Sequence, residues 1–256
     1  MDQFITKRGR NGTARLTYRR EPWDSEMLGL DAYRICGLEG NGALYGGLLA
    51  AFVRRFGRRS CYAVARLPAR DTAGALVFQA AGFHLVNSLL EFEKAVGKAP
   101  GLPRGVEPCR AEDEREVLEV MKDILTYSRF RFQDDPCLPK KSADKAVLEW
   151  ARNCCSGQRG DLALVKRVKG RVAGLIVCQE FKKERRGNID LLAVSRKFQG
   201  KAFGKELVAG AFAWFAGRGL KRVSVATSLS NPQAANFYAA AGFRLTGSKL
   251  TLGYYA

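Results

Sequence analysis

Two fifteen-residue stretches align without a gap 160 positions apart: Asp71–Leu85, DTAGALVFQAAGFHL, and Asn231–Leu245, NPQAANFYAAAGFRL. Each reads as a capped short helix that stops at a glycine and runs into a strand. The same offset lays Glu39-Gly40-Asn41-Gly42-Ala43-Leu44 on Gln199-Gly200-Lys201-Ala202-Phe203-Gly204. In a chain of 256 residues, a repeat on this scale reads as an internal duplication, two related halves in place of one large core. Helices of the AAGF type also recur by chance, and sequence alone leaves that alternative open.

The stretch Lys98–Arg110, KAPGLPRGVEPCR, carries three prolines and separates the halves. The expected organisation is therefore a first domain over residues 1–97, a linker over 98–110 and a second domain over 111–256. Residues 1–20 read as a mobile or edge segment. Helices are expected from about Leu44 to Phe56 and from about Ala143 to Cys154. The acidic-started pattern AEDEREVLEVMKDIL is a third helix. Asp161–Val168 and Arg171–Phe181 read as a hairpin turning at Lys169-Gly170, and Leu250–Tyr255 as a last edge strand.

The chemistry concentrates in Asp190–Phe243. A strand, Asn188–Val194, feeds the turn Gln199-Gly200-Lys201-Ala202-Phe203-Gly204 at the start of a helix. Such a turn points unpaired N–H groups outward and adds the positive end of the helix dipole, so it cradles anions. A second strand comes next, then a short helix bearing Asn231 and Tyr238. In the first copy Glu39 replaces Gln199, Leu44 replaces Gly204, Asp71 replaces Asn231 and Phe78 replaces Tyr238. A glutamate at a phosphate turn repels a pyrophosphate, so the first copy reads as non-catalytic.

The order of turn, second strand, Asn231 and Tyr238 resembles the acyl-CoA-binding core of the GCN5-related N-acetyltransferases (GNAT), with Ala202 where the middle glycine is usual. Three further stretches narrow the resemblance: Trp23-Asp24 with Gly29; Ser128-Arg129-Phe130-Arg131 with Asp135-Pro136, Pro139, Ala143-Asp144, Trp150 and Asn153; and the second half itself. They are similar to the dTDP-fucosamine (dTDP-4-amino-4,6-dideoxy-galactose) N-acetyltransferases, which pair a degenerate N-terminal half with a working one. The fold this implies is α/β (α+β), with mixed, largely antiparallel twisted sheets and flanking helices. The implied co-substrate is acetyl-CoA, held by Leu192, Ala193, Val194, Gln199, Gly200, Lys201, Ala202, Phe203, Gly204, Lys205, Asn231 and Ala234. Tyr238 carries over as the acid that protonates the leaving thiolate, and Asp190 is a candidate base acting through water. Ser128, Arg129, Arg131 and Trp23 face the acceptor, a nucleotide-linked amino sugar.

The remaining composition sets bounds. Seven cysteines, an odd number with no Cys-x-x-Cys pair, argue against a disulfide framework and a zinc site and for a reducing cytosol. No metal is expected. The only histidine, His84, sits in the strand-like GFHLV and reads as structural. No apolar run is long enough to span a membrane, and the polar, basic first residues lack the apolar core of a signal peptide, so a cytoplasmic location is expected. The net charge of +18, with clusters such as Arg54/Arg55/Arg58/Arg59 and Lys182/Lys183/Arg185/Arg186, suits anionic ligands, CoA and a nucleotide sugar among them. It suits RNA as well, or simply a solvated basic surface. An acceptor that is a protein amine or another small amine stays open, as does a non-catalytic nucleotide- or RNA-binding module. Nucleic acid is disfavoured because the turn and Tyr238 are kept in one copy only. A homodimer is compatible with the sequence.

Overall fold

The computed structural model describes residues 1–256 except 11, 58, 59, 99 and 100. Arg58 and Arg59 of one basic cluster and Ala99-Pro100 of the expected linker thus lie outside the described residues. In chain order the first part holds β1 (Gln3–Gly9), β2 (Gly12–Arg20), α1 (Pro22–Leu28), β3 (Asp31–Gly40), α2 (Tyr45–Phe56), β4 (Cys61–Pro68), α3 (Thr72–Ala80) and β5 (His84–Ala95). Then come β6 (Val106–Pro108), α4 (Glu114–Leu125), α5 (Lys140–Cys155), β7 (Leu162–Val168), β8 (Arg171–Phe181), β9 (Arg186–Val194), α6 (Phe203–Gly217), β10 (Arg222–Ser228), α7 (Pro232–Ala240) and β11 (Arg244–Tyr255). The repeat seen in sequence is repeated in structure: α7 and β11 span the same positions as α3 and β5, shifted by 160. Asp71 and Asn231 each cap their helix by accepting from the N–H three residues on, at 2.8 and 3.0 Å.

The chain divides into two compact units. One takes Met1–Leu89, Arg131–Ala146 and Ser248–Ala256; the other takes Leu90–Phe130 and Val147–Gly247. These units do not match the expected boundaries of 1–97, 98–110 and 111–256, and the reason is apolar burial. Phe132, Leu138, Ala143 and Ala146 bury with Met27, Leu28, Tyr62 and Val64 of the first unit. The end of β11, residues 249–255, pairs antiparallel with β4. Residues 106–109 of the expected linker are not free either. β6 pairs with β7, and the Cys109 N–H donates to the Ala163 carbonyl at 2.9 Å.

In the first unit β2 alternates, with Ala14, Leu16 and Tyr18 inward and Arg15, Thr17 and Arg19 outward. It pairs on both sides, with β1 and β3, so only β1 of residues 1–20 is an edge. β3 runs parallel to β4, and β11 lies between β4 and β5, an interior place where an edge strand was expected. α2 lays Leu48, Leu49 and Phe52 on this sheet, and Phe52 stacks edge-on to Tyr18 and Tyr33 at 5.3 and 5.9 Å.

In the second unit the strand order is β5-β10-β9-β8-β7-β6. β10 runs parallel to β9, and the other pairings of β6 to β9 are antiparallel. α6 packs Leu207, Ala211 and Phe215, all fully buried, into a core with Ile176, Ile189 and Val223. Glycine permits the close approach of helix and strand: a Cβ on Gly187 of β9 would run into the Phe215 ring. Among the described residues no helix is long and apolar enough to cross a membrane, and all seven cysteines are free thiols.

Gly187→Ala is expected to force Phe215 off its position and cost about 1–3 kcal/mol, the usual penalty of overpacking. Urea denaturation measures it; an unchanged midpoint would show that α6 moves freely against β9.

Candidate active site

β9 and β10 pair only from Arg186/Arg222 to Ile189/Val225. Beyond that the two strands have no mutual pairing, and their backbone groups on the facing edges are left available. The next residue of β9, Asp190, is the extra residue of a β-bulge, because Val177 faces Leu191 while Cys178 faces Ile189. The bulge changes which face each side chain takes. Ile189 packs into one core and Leu191 and Ala193 into another, while Leu192 and Val194 return to the first.

A cleft of about 440 Å³ opens at this divergence. β9 contributes Leu192, Ala193 and Val194; the turn contributes Phe198, Gln199, Gly200, Ala202, Phe203, Gly204 and Lys205. α7 with its cap adds Asn231, Gln233, Ala234, Phe237 and Tyr238, and the end of α4 adds Ile124, Tyr127 and Ser128. Of the residues expected to hold CoA, only Lys201 is outside this lining; its ammonium lies 5.7 Å from the Phe198 ring.

The turn is built for an anion. Gly200 (φ 75°) and Ala202 (φ 62°) are both left-handed. This twist delivers the chain into α6 with the N–H groups of Gly200 to Lys205 lacking any protein acceptor among the described residues. Gly204 brings the backbone close to α7, since a Cβ there would lie 3.1 Å from the Phe237 ring. The turn is braced from α4. Asp123 accepts from Ser195 Oγ at 2.8 Å and from the Arg196 N–H at 2.7 Å. Burial raises the Asp123 pKa, but these hydrogen bonds and the charges of Arg196 and Lys197 outweigh it and hold the carboxyl below its usual range. Gln199 Nε2 donates to the Tyr127 hydroxyl at 2.6 Å and to the Val194 carbonyl at 3.1 Å, and Arg196 stacks on the Tyr127 ring.

The matching turn of the first unit spends the same groups on itself. The Ala43 N–H donates to Asn41 Oδ1 at 3.0 Å, the Leu44 N–H to the Asn41 carbonyl, and the Tyr45 N–H to the Gly42 carbonyl. With these three N–H groups spent and Glu39 at its start, this turn is poorly suited to an anion.

Tyr238 is 6% exposed and packs its ring against Phe243 and Phe237 at 5.5 and 5.4 Å. Its hydroxyl has no hydrogen-bond partner among the described residues, and burial pushes its pKa well above that of a free phenol. Asp190 does not line the cleft. It accepts from Asn188 Nδ2 at 2.5 Å on the bulge, and desolvation there, with Asp161 nearby, raises its pKa. Its effect on the cleft is through backbone register, and the reading of Asp190 as a base beside the cradle loses its geometric basis. Of the expected acceptor residues, Ser128 lines the cleft. Arg131 is in the first unit, where its guanidinium takes both oxygens of the buried Asp24 and lies over the Phe132 ring. Its fork is therefore already engaged, because a buried carboxylate must be compensated. Trp23 packs, half-buried, in that same unit. Arg129 belongs to the second unit, outside the cleft lining. Sequence reasoning missed Tyr127, Asp123, Phe198, Gln233 and Phe237; Phe237, adjacent to Tyr238 on a capped helix, was the one with a local signal.

A strand parted from its neighbour, a donor-rich turn opening a helix, and a buried phenol thus come together at one cleft. Residues 125–243 match the model of the acetyltransferase (GNAT) family, in keeping with an acyl-CoA-dependent N-acetyltransferase. It is 28% identical over 233 residues to the spore coat polysaccharide biosynthesis protein SpsD of Bacillus subtilis (strain 168), covering 89% of this chain and 79% of that protein. A GCN5-related N-acetyltransferase from Sphaerobacter thermophilus superposes with a TM-score of 0.60 at 15% identity, over 95% of this chain and 77% of that one. A tandem GNAT protein from the clavulanic acid biosynthesis pathway superposes with a TM-score of 0.58 at 16% identity, over 99% and 83%.

The left-handed alanine yields a direct test. Ala202→Gly is expected to stabilise the protein by about 0.5–1 kcal/mol, since the left-handed cost to an L-residue exceeds the extra chain entropy of glycine. Thermal denaturation checks it, and a lower melting temperature would mean that the alanine methyl packs usefully.

Proposed function

We propose that the protein acetylates the amine of a nucleotide-linked amino sugar, of the dTDP-4-amino-4,6-dideoxy-hexose type, with acetyl-CoA as donor. The observation that carries the transfer chemistry is Tyr238, a buried phenol without a protein partner in the wall of a cleft whose far end holds free backbone donors. The pyrophosphate of CoA fits the turn Gly200–Lys205, and the pantetheine arm lies along Leu192–Val194, adding its amides to strand edges as in β-augmentation. Asn231 keeps α7 capped and its end of the cleft fixed.

The reaction is a direct attack in a ternary complex. The neutral amine adds to the thioester carbonyl carbon, and the N–H of Leu192 or Ala193 meets the developing oxyanion. The carbon–sulfur bond then breaks. The sulfur takes its proton from Tyr238, which is re-protonated from water, and the new amide gives its surplus proton to solvent. A phenol whose pKa lies above ~10 holds its proton at neutral pH and can give it to a thiolate of pKa ~8.5, if CoA resembles a cysteine thiol. Positioning the two reactants supplies a further ~7–11 kcal/mol of barrier reduction.

Support for the acceptor comes from the resemblance carried by Ser128-Arg129-Phe130-Arg131 with the Asp135-Pro136 motif beyond it, and from the polysaccharide role in the relative's name. The net charge of +18 favours an anionic nucleotide sugar over a polyamine. In this reading the first unit is a degenerate, non-catalytic copy, and the protein works in the cytoplasm.

Tyr238→Phe is expected to keep acetyl-CoA affinity and lose at least tenfold in kcat, within the ~10²–10⁴-fold range of general acid catalysis; turnover equal to wild type would remove Tyr238 as the acid. Thiol release measured over dTDP-amino sugars, free amino sugars, polyamines and peptides tests the acceptor. Turnover is expected with the dTDP-amino sugars at a kcat/KM at least tenfold above any other class. Faster acetylation of a peptide amine would replace this reading with a protein acetyltransferase, and RNA binding without turnover of any amine would replace it with a binding module.

A further inference from the structure

Within the first unit three metal-ligating side chains of three different types converge. His84 opens β5, and Asp135 and Cys137 sit on the loop leading to α5. His84 Nε2 is 2.9 Å from Asp135 Oδ1, and all three donor atoms lie within 4.8 Å of one another. The loop is already folded around the carboxylate: the Cys137 N–H donates to Asp135 Oδ1 at 2.9 Å, and the Leu138 N–H to the Asp135 carbonyl at 3.2 Å.

Two observations set this cluster apart from an ordinary histidine–aspartate pair. The Asp135 side chain is 0% exposed, yet its Oδ2 has no hydrogen-bond partner among the described residues. A buried carboxylate oxygen left so is costly. Space is also kept for it. Gly253 on β11 stands where a Cβ would meet Asp135 Oδ2 at 2.6 Å and His84 Nε2 at 3.3 Å. Meanwhile Cys137 is exposed, which leaves one side of the cluster open to water.

We propose that His84, Asp135 and Cys137 form a binding site for a divalent zinc-class cation, with water as the fourth ligand. Nitrogen, carboxylate oxygen and thiolate are the ligand types zinc takes in tetrahedral sites. Ligands of such a site stand roughly 3.3–3.6 Å apart at zinc bond lengths of ~2.0–2.3 Å, so closing the present arrangement takes a side-chain shift of about an ångström. The cation takes the place of the proton between His84 Nε2 and Asp135 Oδ1; that proton moves to Nδ1 or to solvent, so the bound imidazole is the neutral Nδ1–H form. Cys137 gives up its thiol proton to solvent. Two anionic ligands then balance the two positive charges, and the cation pins the loop of residues 131–139 to β5. The absence of a Cys-x-x-Cys pair excludes only a site built from neighbouring cysteines; this one is assembled across the fold.

The test uses the tag-free full chain, stripped with chelator and titrated with Co²⁺ and then Zn²⁺. One equivalent of Co²⁺ is expected to give tetrahedral d–d bands with a thiolate charge-transfer band, displaced by Zn²⁺. Cys137→Ser and His84→Asn should each keep the circular dichroism of the parent and weaken binding by at least about 10–100-fold, the loss seen when even an outer-shell partner of a metal ligand is removed. Cys36→Ser, which removes another exposed thiol, should bind as the parent does. No charge-transfer band in the parent, or equal affinity in the Cys137→Ser and His84→Asn variants, overturns the proposal. Should either variant unfold, Cys137→Ala, at an exposed position, carries the same reading.

Discussion

The parting of β9 from β10 after Ile189 and Val225 is the constraint on which the rest of the second unit depends. Parallel strands that stay paired leave no backbone groups for a ligand; strands that separate leave two edges with unspent donors and acceptors. The bulge at Asp190 coincides with that parting and adds local twist to β9. It also sets the phase of the last residues of β9, so that Leu192 and Val194 face the cleft side while Leu191 and Ala193 anchor the strand in the core beneath α4. Asp190, by residue type a candidate catalytic carboxylate, thus acts through backbone geometry.

The two turns show how similar backbones diverge in chemistry through a few side chains. Asn41 captures the N–H groups of Ala43 and Leu44, and the turn closes on itself. Its counterpart, Lys201, has no side-chain acceptor to offer, so the equivalent N–H groups of Phe203 and Gly204 remain free. Opening a helix with unspent donors costs stability, and holding Ala202 left-handed adds to that cost. The compensation comes from α4, through Asp123 on Ser195 and Arg196 and through Tyr127 on Gln199. The strained turn is held because α4, with Tyr127 just beyond it, pins the chain where it enters the turn.

What could be read from sequence was what is local. The capped helix with Asn231 and Tyr238, the glycine-containing turn and the strand before it are contiguous, and their residue types state their geometry. The duplication was legible because it preserves spacing. What escaped depends on partners distant in the chain. Tyr127 meets Gln199 across 72 positions, and Arg131 meets Asp24 across 107. An arginine in a loop offers a free fork or a buried ion pair with equal plausibility until its partner is known. The bulge at Asp190 is a property of β8 as much as of β9. Likewise the interleaved units arise from Phe132 and Leu138 finding an apolar face on α1 and β4, which no composition change along 98–146 announces.

At the matched position of α3 and α7, Tyr238 and Phe78 differ by one oxygen atom. Both lie at the same position of matched helices, both are buried, and both stack edge-on to the phenylalanine just before the next strand, at 5.5 and 5.0 Å. Phe78 shows that packing alone is met by a plain ring. The hydroxyl of Tyr238 adds nothing to that packing and has no hydrogen-bond partner among the described residues, in the wall of the cleft. The burial that makes the hydroxyl costly also raises its pKa and keeps its proton in place. A phenol that keeps its proton in this way has the property that the acid role proposed for Tyr238 requires.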